Sequence, residues 1–253
     1  MQIGAQLYTV RAHTQTLDDF DRTLGRVRDI GYTAVQVSAT CAFEPAWLAE
    51  RLEAYGLTCP LTHTNVDRLR AEPAAVADEH AVFGCRRVGM GMMPEPMRGS
   101  EAGYREFVDV FRPVARTLAE HGARLQYHNH ALEFGHIAGR PILAHMADDF
   151  PPDELDFIVD VFWVQAGGGD PAAWLRRLSG RVPCIHLKDM VMMGDERRYA
   201  VVDEGNLNID AILAACQDAG TQYVFVEQDE CYGEDPFDAL ARSYAHLAAR
   251  GLS

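Results

Sequence analysis

Strand-like and helix-like segments alternate from one end of this chain to the other, and most of the helical ones stop at a glycine. Gln2–Tyr8 reads as a first strand. Leu17–Ile30 reads as a helix, with Leu17, Phe20, Leu24, Val27 and Ile30 on one face, Thr16 as its N-cap and Gly31 as its stop. The same rhythm predicts strands at Ala34–Val37, Thr58–Thr62, Arg87–Met90, Arg124–His128, Phe157–Val161, Pro183–Leu187 and Tyr223–Glu227. It predicts helices at Pro45–Tyr55, Pro73–Phe83, Tyr104–His121, Ile142–Ala147, Pro171–Leu178, Ile209–Asp218 and Pro236–Ala249. Eight strands alternating with eight helices specify a parallel α/β architecture, and eight units close a barrel better than they fill an open sheet. The 253 residues fit one (β/α)8 TIM barrel, read as a single domain over 1–253. Ala166-Gly167-Gly168-Gly169 follows a strand but lacks the G-x-G-x-x-G spacing of a dinucleotide-binding open sheet.

In such a barrel the C-terminal ends of all the strands converge on one mouth, where active sites sit. Several strands here end in metal-type ligands. Tyr127-His128-Asn129-His130 is followed by Glu133, Ile158-Val159 by Asp160, Cys184-Ile185 by His186, and Val224-Phe225-Val226 by Glu227. Two Glu, one Asp and one His at one mouth would make a mostly oxygen site for a divalent cation. His63 follows the third strand at the same end, and Lys188 follows His186 by two, on the same side of its strand.

The bulk properties narrow the partners. A net charge of −14 argues against a nucleic-acid binder, which needs a basic footprint. No apolar run approaches the roughly 20 residues of a membrane span. The chain enters a strand almost at its first residue, so no signal peptide is expected. The six cysteines, Cys41, Cys59, Cys85, Cys184, Cys216 and Cys231, contain no C-x-x-C and read as free thiols. Free thiols suit a reducing, cytoplasmic setting.

Five runs carry a family resemblance. They are Gln6-Leu7-Tyr8-Thr9-Val10-Arg11, His128-Asn129-His130-x-x-Glu133-Phe134, Asp160-x-x-Trp163, His186-x-Lys188-Asp189 and Glu204-Gly205. Together they resemble the sugar phosphate isomerase/epimerase family of the xylose-isomerase-like TIM barrel superfamily. The resemblance implies one divalent ion, Mn2+ before Mg2+, Co2+ or Zn2+, held by Glu133, Asp160, His186 and Glu227. His128 or His130 is the alternative to Glu133. It implies a small-molecule sugar substrate, and a homo-oligomer is compatible with it. Glu133 and Glu227 are the expected acid/base pair, with His130 as a further base and Lys188 to hold a developing negative oxygen. Gln6, Tyr8, His63, His128, Trp163 and Glu204 are expected at the substrate, Tyr8 and Trp163 by stacking on a sugar face.

The expected chemistry is removal of a proton next to a carbonyl, giving an enediolate that a divalent ion stabilises. Return of the proton to another carbon or face is isomerisation or epimerisation. Loss of a β-substituent would instead make the enzyme a lyase or dehydratase acting on a ketosugar or keto-glycoside. The longest loop, Asp189–Asn208, is expected at the mouth as a lid.

Overall fold

The computed structural model describes residues Met1–Ser253. Eight parallel strands close a barrel in sequence order: β1 (Gln2–Gln6), β2 (Ala34–Val37), β3 (Thr58–Thr64), β4 (Arg87–Met90), β5 (Arg124–His128), β6 (Leu155–Asp160), β7 (Cys184–Leu187) and β8 (Tyr223–Val226). The closure pairs β8 with β1, Tyr223 to Gln2 through Val226 to Ala5. The expected (β/α)8 TIM barrel is the observed fold.

Successive side chains of a strand point to opposite faces, and this alternation sorts the barrel. Val159, Ile185, Leu187, Val224 and Val226 face outward and belong to the large core shared with the helices. Ala34, Leu61, Ile158, Cys184 and Phe225 form a separate buried cluster that fills the barrel interior. Phe225 reaches across to β1, where a Cβ on Gly4 would overlap its ring. Two residues further along β6, β7 and β8 the same inward face presents Asp160, His186 and Glu227. An apolar plug therefore lies under a polar layer.

Around the barrel lie α1 (Leu17–Ile30), α2 (Pro45–Tyr55), α3 (Val66–Ala71), α4 (Pro73–Val82), α5 (Glu101–Glu120), α6 (Ile142–Asp149), α7 (Val161–Ala166), α8 (Pro171–Arg177), α9 (Ile209–Ala219) and α10 (Pro236–Ala249). The expected boundaries shift where a side chain caps the backbone. β1 stops at Gln6, because the Gln6 side chain accepts the Tyr8 N–H at 2.9 Å and turns the chain into a 3-10 segment, Leu7–His13. α5 begins before Tyr104, because Ser100 accepts the Gly103 N–H at 3.1 Å. The short helices α3 and α7 were not expected. Asn65 and Asp160 cap them.

The Asp189–Asn208 segment differs most from expectation. It is no simple loop but an antiparallel hairpin, Asp189–Met193 against Glu196–Ala200, followed by an anchored return. The buried Asp189 carboxylate accepts N–H groups from Met190, Asp203, Gly205 and Leu207 at 2.7–3.1 Å. Gly205 is required there, since a Cβ would collide with that carboxylate. Glu204 is turned away to Arg242 on α10, at 2.8 Å.

Glu154, just before β6, is buried and accepts from Arg112 at 3.0 Å and Arg116 at 2.8 Å, both on α5. Burial raises its pKa, but the two guanidinium hydrogen bonds outweigh that and hold it below the usual carboxylate value. A depressed folded pKa gives stability that is full above the unfolded value of about 4.3 and is lost as pH falls through the folded one. Glu154→Gln should therefore cost about 1–2 kcal/mol at pH 7, a figure discounted because both arginines are partly exposed. In urea unfolding the deficit should shrink as pH drops below about 4.

Candidate metal centre

The inward face of the barrel brings four side chains to one level: His128 from β5, Asp160 from β6, His186 from β7 and Glu227 just after β8. One ligand atom from each lies within 4.8 Å of all the others, and all four residues are buried. Asp160 and His186 are register partners.

The outer atoms of these groups are already committed, and this decides what the inner atoms present. His186 Nε2 lies 2.7 Å from Gln36 Oε1, so Nε2 carries the proton and Nδ1 points a lone pair inward. His128 Nδ1 lies 2.9 Å from the Gly91 carbonyl, so it too donates outward, and Nε2 turns inward 3.1 Å from Asp160 Oδ2. Asp160 uses Oδ1 to cap α7 through the Trp163 N–H at 3.1 Å, leaving Oδ2 for the centre. Asn129 clamps the Asp160 backbone, accepting its N–H at 3.0 Å. His186 Nδ1 and Glu227 Oε2 sit 2.7 Å apart and both are buried; Nδ1 has no hydrogen-bond partner, and the nearest cation to Oε2 is the Lys188 ammonium at 3.1 Å. Two electron-pair donors face each other where a cation belongs, so the donor set fits a divalent ion.

Lys188 brings a positive charge into this layer. Its ammonium lies 3.0 Å from Asp160, 3.1 Å from Glu227 and 2.8 Å from Asp229. Burial works against the charge, but the three carboxylates outweigh it and hold the lysine protonated. In return, Lys188 and the histidines overcome the burial of Asp160 and Glu227, taking Asp160 to about 2 and Glu227 well below its ordinary value. Asp229 moves the other way, to about 6, through burial and the neighbouring Glu227.

The remaining expected residues divide. Tyr8, His63, His128, His130, Lys188 and Glu227 line the mouth cavity, of about 230 Å³. His63 Nδ1 lies 3.4 Å from Ser38 Oγ, and its Nε2 is buried without a partner. Burial and the neighbouring His128 hold His63 neutral. His130 packs its ring 5.3 Å from Trp163, and burial takes it down to about 3. Gln6 is buried and serves the turn after β1. Glu204 lies outside the mouth lining, on Arg242.

Glu133, expected as a ligand, is not brought to the centre. It sits in the 3-10 turn Ala131–Phe134, beyond the end of β5, where it accepts the Tyr127 hydroxyl and the His130 N–H. His128, the last inward residue of β5, takes the fourth place. Gln36 and Asp229 were not singled out from the sequence. Asp229 could have been found as Glu227 plus two, on the same face of an extended chain. Gln36 is an inward position of β2, but its partner lies 150 residues away.

Residues 24–249 match the family model described as xylose isomerase-like TIM barrel, and the chain belongs to that family. Proteins of this superfamily include isomerases, epimerases and dehydratases. The chain is 24% identical over 192 residues to an inosose dehydratase from Geobacillus kaustophilus (strain HTA426), a match over 67% of this chain. It spans 62% of the length of that curated relative. A sugar phosphate isomerase/epimerase from Parabacteroides distasonis ATCC 8503 superposes with a TM-score of 0.82 at 21% identity, covering 98% of this chain and 93% of the other. The IOLI protein, solved with a zinc atom bound, superposes at 0.72 and 15% identity, over 98% and 97% of the two chains. At these identities the two structures share the fold.

Two measurements test the centre without reference to turnover. Divalent metal at about 100 times its Kd should stabilise the protein by about 2.7 kcal/mol. For a chain of this size that is a Tm rise of about 5–10 °C. Asp160→Asn keeps an oxygen to cap α7 but removes the charge, so the rise should be lost without loss of the helix. His128→Ala should lose the rise as well, whereas Glu133→Gln should keep it. A rise lost in Glu133→Gln and kept in His128→Ala would restore Glu133 as the ligand.

Proposed function

We propose that this protein is a divalent-metal-dependent enzyme that removes a proton next to the carbonyl of a sugar or ketosugar, acting as an isomerase or epimerase. The observation that carries the reading is the inward convergence of two imidazole nitrogens and two carboxylates at the barrel mouth, with His186 Nδ1 left unpartnered 2.7 Å from Glu227 Oε2. His128, Asp160, His186 and Glu227 would hold the ion. Two nitrogen and two oxygen donors suit Mn2+, Co2+ or Zn2+ better than Mg2+, which prefers oxygen and water. When bound, such an ion supplies Lewis-acid polarisation of a carbonyl oxygen.

The chain's own groups do the rest. Glu227, ionised and at the floor of the cavity, is placed to take the proton from carbon. The Lys188 ammonium beside it stabilises negative charge developing on a substrate oxygen. Neutral His130 and His63 present ring nitrogens to substrate hydroxyls, and Tyr8 offers an aromatic face to the sugar's C–H groups. The surrounding burial keeps water from competing.

A second reading is elimination by a lyase or dehydratase. The position of Glu133 favours it. Face inversion by two carboxylates needs one on each side of the substrate, and Glu133 is held off the centre by Tyr127 and His130. In an elimination a single base suffices: the proton leaves one carbon, the C–O bond at the next breaks, and the departing oxygen takes a proton. The similarity to a dehydratase agrees with this reading.

Metal-loaded protein incubated with ketosugars in D2O should wash deuterium into the carbon next to the carbonyl. Glu227→Gln should slow that exchange by at least about 10²-fold, the lower end of general acid–base catalysis. Mass analysis of the product separates the two readings, since only elimination changes mass by more than the isotope. Wild-type exchange in a metal-replete Glu227→Gln would move the base to His130.

A further inference from the structure

The mouth cavity meets an incoming molecule with negative charge. Lys188 is the one lysine or arginine among the residues that line it. That side chain is only 2% exposed, and three carboxylates, Asp160, Glu227 and Asp229, lie 2.8–3.1 Å from its ammonium. They match its three N–H donors. Lys188 therefore acts on a substrate oxygen through its charge and has no N–H left over for a phosphate. Glu227 is almost as deep, at 4%, whereas the Asp229 side chain is 18% exposed. The most accessible charge in the lining is a carboxylate. The segment that carries Asp229 is fixed from behind. The Gln228 N–H donates to the Thr9 hydroxyl at 2.9 Å. The Arg11 guanidinium donates to the Asp229 carbonyl at 2.8 Å and the Tyr8 carbonyl at 2.9 Å, while lying 4.3 Å from the centre of the Tyr8 ring. Its remaining branch pairs with Glu230 at 3.0 Å. Arg11 is thus spent on the backbone and on Glu230, and it holds the Tyr8 ring and the Asp229 carboxylate on one platform.

We propose that Asp229 sets the charge class of the substrate: it accepts a hydrogen bond from a sugar hydroxyl and turns away sugars that carry a phosphate or carboxylate at that place, so the site takes an uncharged sugar. A carboxylate accepts up to about four hydrogen bonds, so the ion pair with Lys188 leaves room for a hydroxyl. A hydroxyl that donates to Asp229 makes a charge-assisted bond, and its carbon skeleton lies against Tyr8. A phosphate in the same place meets an ionised carboxylate with no cationic donor free to take it, which is discrimination by repulsion as well as by contact. The inference rests on the reading of the mouth as a sugar site and extends it to the charge of the substrate.

The test is calorimetric binding to manganese-loaded protein, at pH 8, of two probes that lack a carbonyl and cannot react, D-glucitol and D-glucitol 6-phosphate. Wild type should bind D-glucitol at least about 10-fold tighter than its phosphate. Asp229→Asn keeps the shape of the side chain and removes its charge, so the preference should fall by at least about 10-fold, through weaker D-glucitol and tighter phosphate. Asp229→Glu restores the charge and should keep the preference. Equal or tighter binding of the phosphate by wild type overturns the proposal without recourse to any variant, and so does absence of D-glucitol binding. A preference that survives in Asp229→Asn, or one lost equally in both variants, overturns it as well. The metal-dependent Tm rise and deuterium wash-in, measured on the same wild-type preparation with ketosugars, decide the mouth chemistry separately.

Discussion

Two carboxylates cannot share the interior of a barrel a few ångströms apart without a cation between them. At about 4 Å and an effective dielectric of about 20, their repulsion is on the order of 4 kcal/mol. Asp160 and Glu227 are held in that position by the strands that carry them, so the electrostatic demand is built into the backbone. Lys188 meets part of it with three ion pairs. The two imidazoles add no charge when neutral. They aim lone pairs at the same volume, because Gln36 and the Gly91 carbonyl take the protons on their far sides. The polar layer is therefore arranged around a cation by contacts outside it as much as by the ligands themselves.

The two-residue period of a strand explains why this layer sits where it does. One step below Asp160, His186 and Glu227 on the inward face are Ile158, Cys184 and Phe225, which close the barrel floor. The same sequences that make the plug deliver the ligands. A one-residue slip in β7 would turn His186 and Lys188 outward together and put Ile185 and Leu187 in the centre.

This period was legible in the sequence, and with it the fold, the mouth and the positions of Asp160, His186, Lys188 and Glu227. Where the chain leaves the strand, the period no longer applies. Glu133 lies five residues past His128, in a turn whose geometry depends on its own hydrogen bonds to His130 and Tyr127. The family resemblance therefore pointed Glu133 to the centre, while its local contacts take it away. The Glu204-Gly205 pair has a similar explanation. Gly205 permits the close approach of Asp189, and Glu204 turns to α10, so the pair marks an anchor for the hairpin rather than a substrate contact. The role of Gln36 depends on a contact with His186, 150 residues away in the chain, which no local pattern encodes.

The His186-x-Lys188-Asp189 run shows how closely the site and its rim are joined. His186 and Lys188 point inward, one to the donor group and one to the carboxylates. Asp189, the next residue, faces the opposite way and is buried under four backbone N–H groups of the return from the hairpin. The hairpin in turn sets Tyr199 against Phe162 of α7, ring centroids 4.5 Å apart, and 5.9 Å from the Lys188 ammonium. Asp160 begins that same helix by capping it. Two residues of the charged layer are thus each joined directly to the hairpin or to the helix it packs against. Any movement of the hairpin as a body would have to pivot beyond Asp189, since its base is fixed to the strand that carries His186 and Lys188.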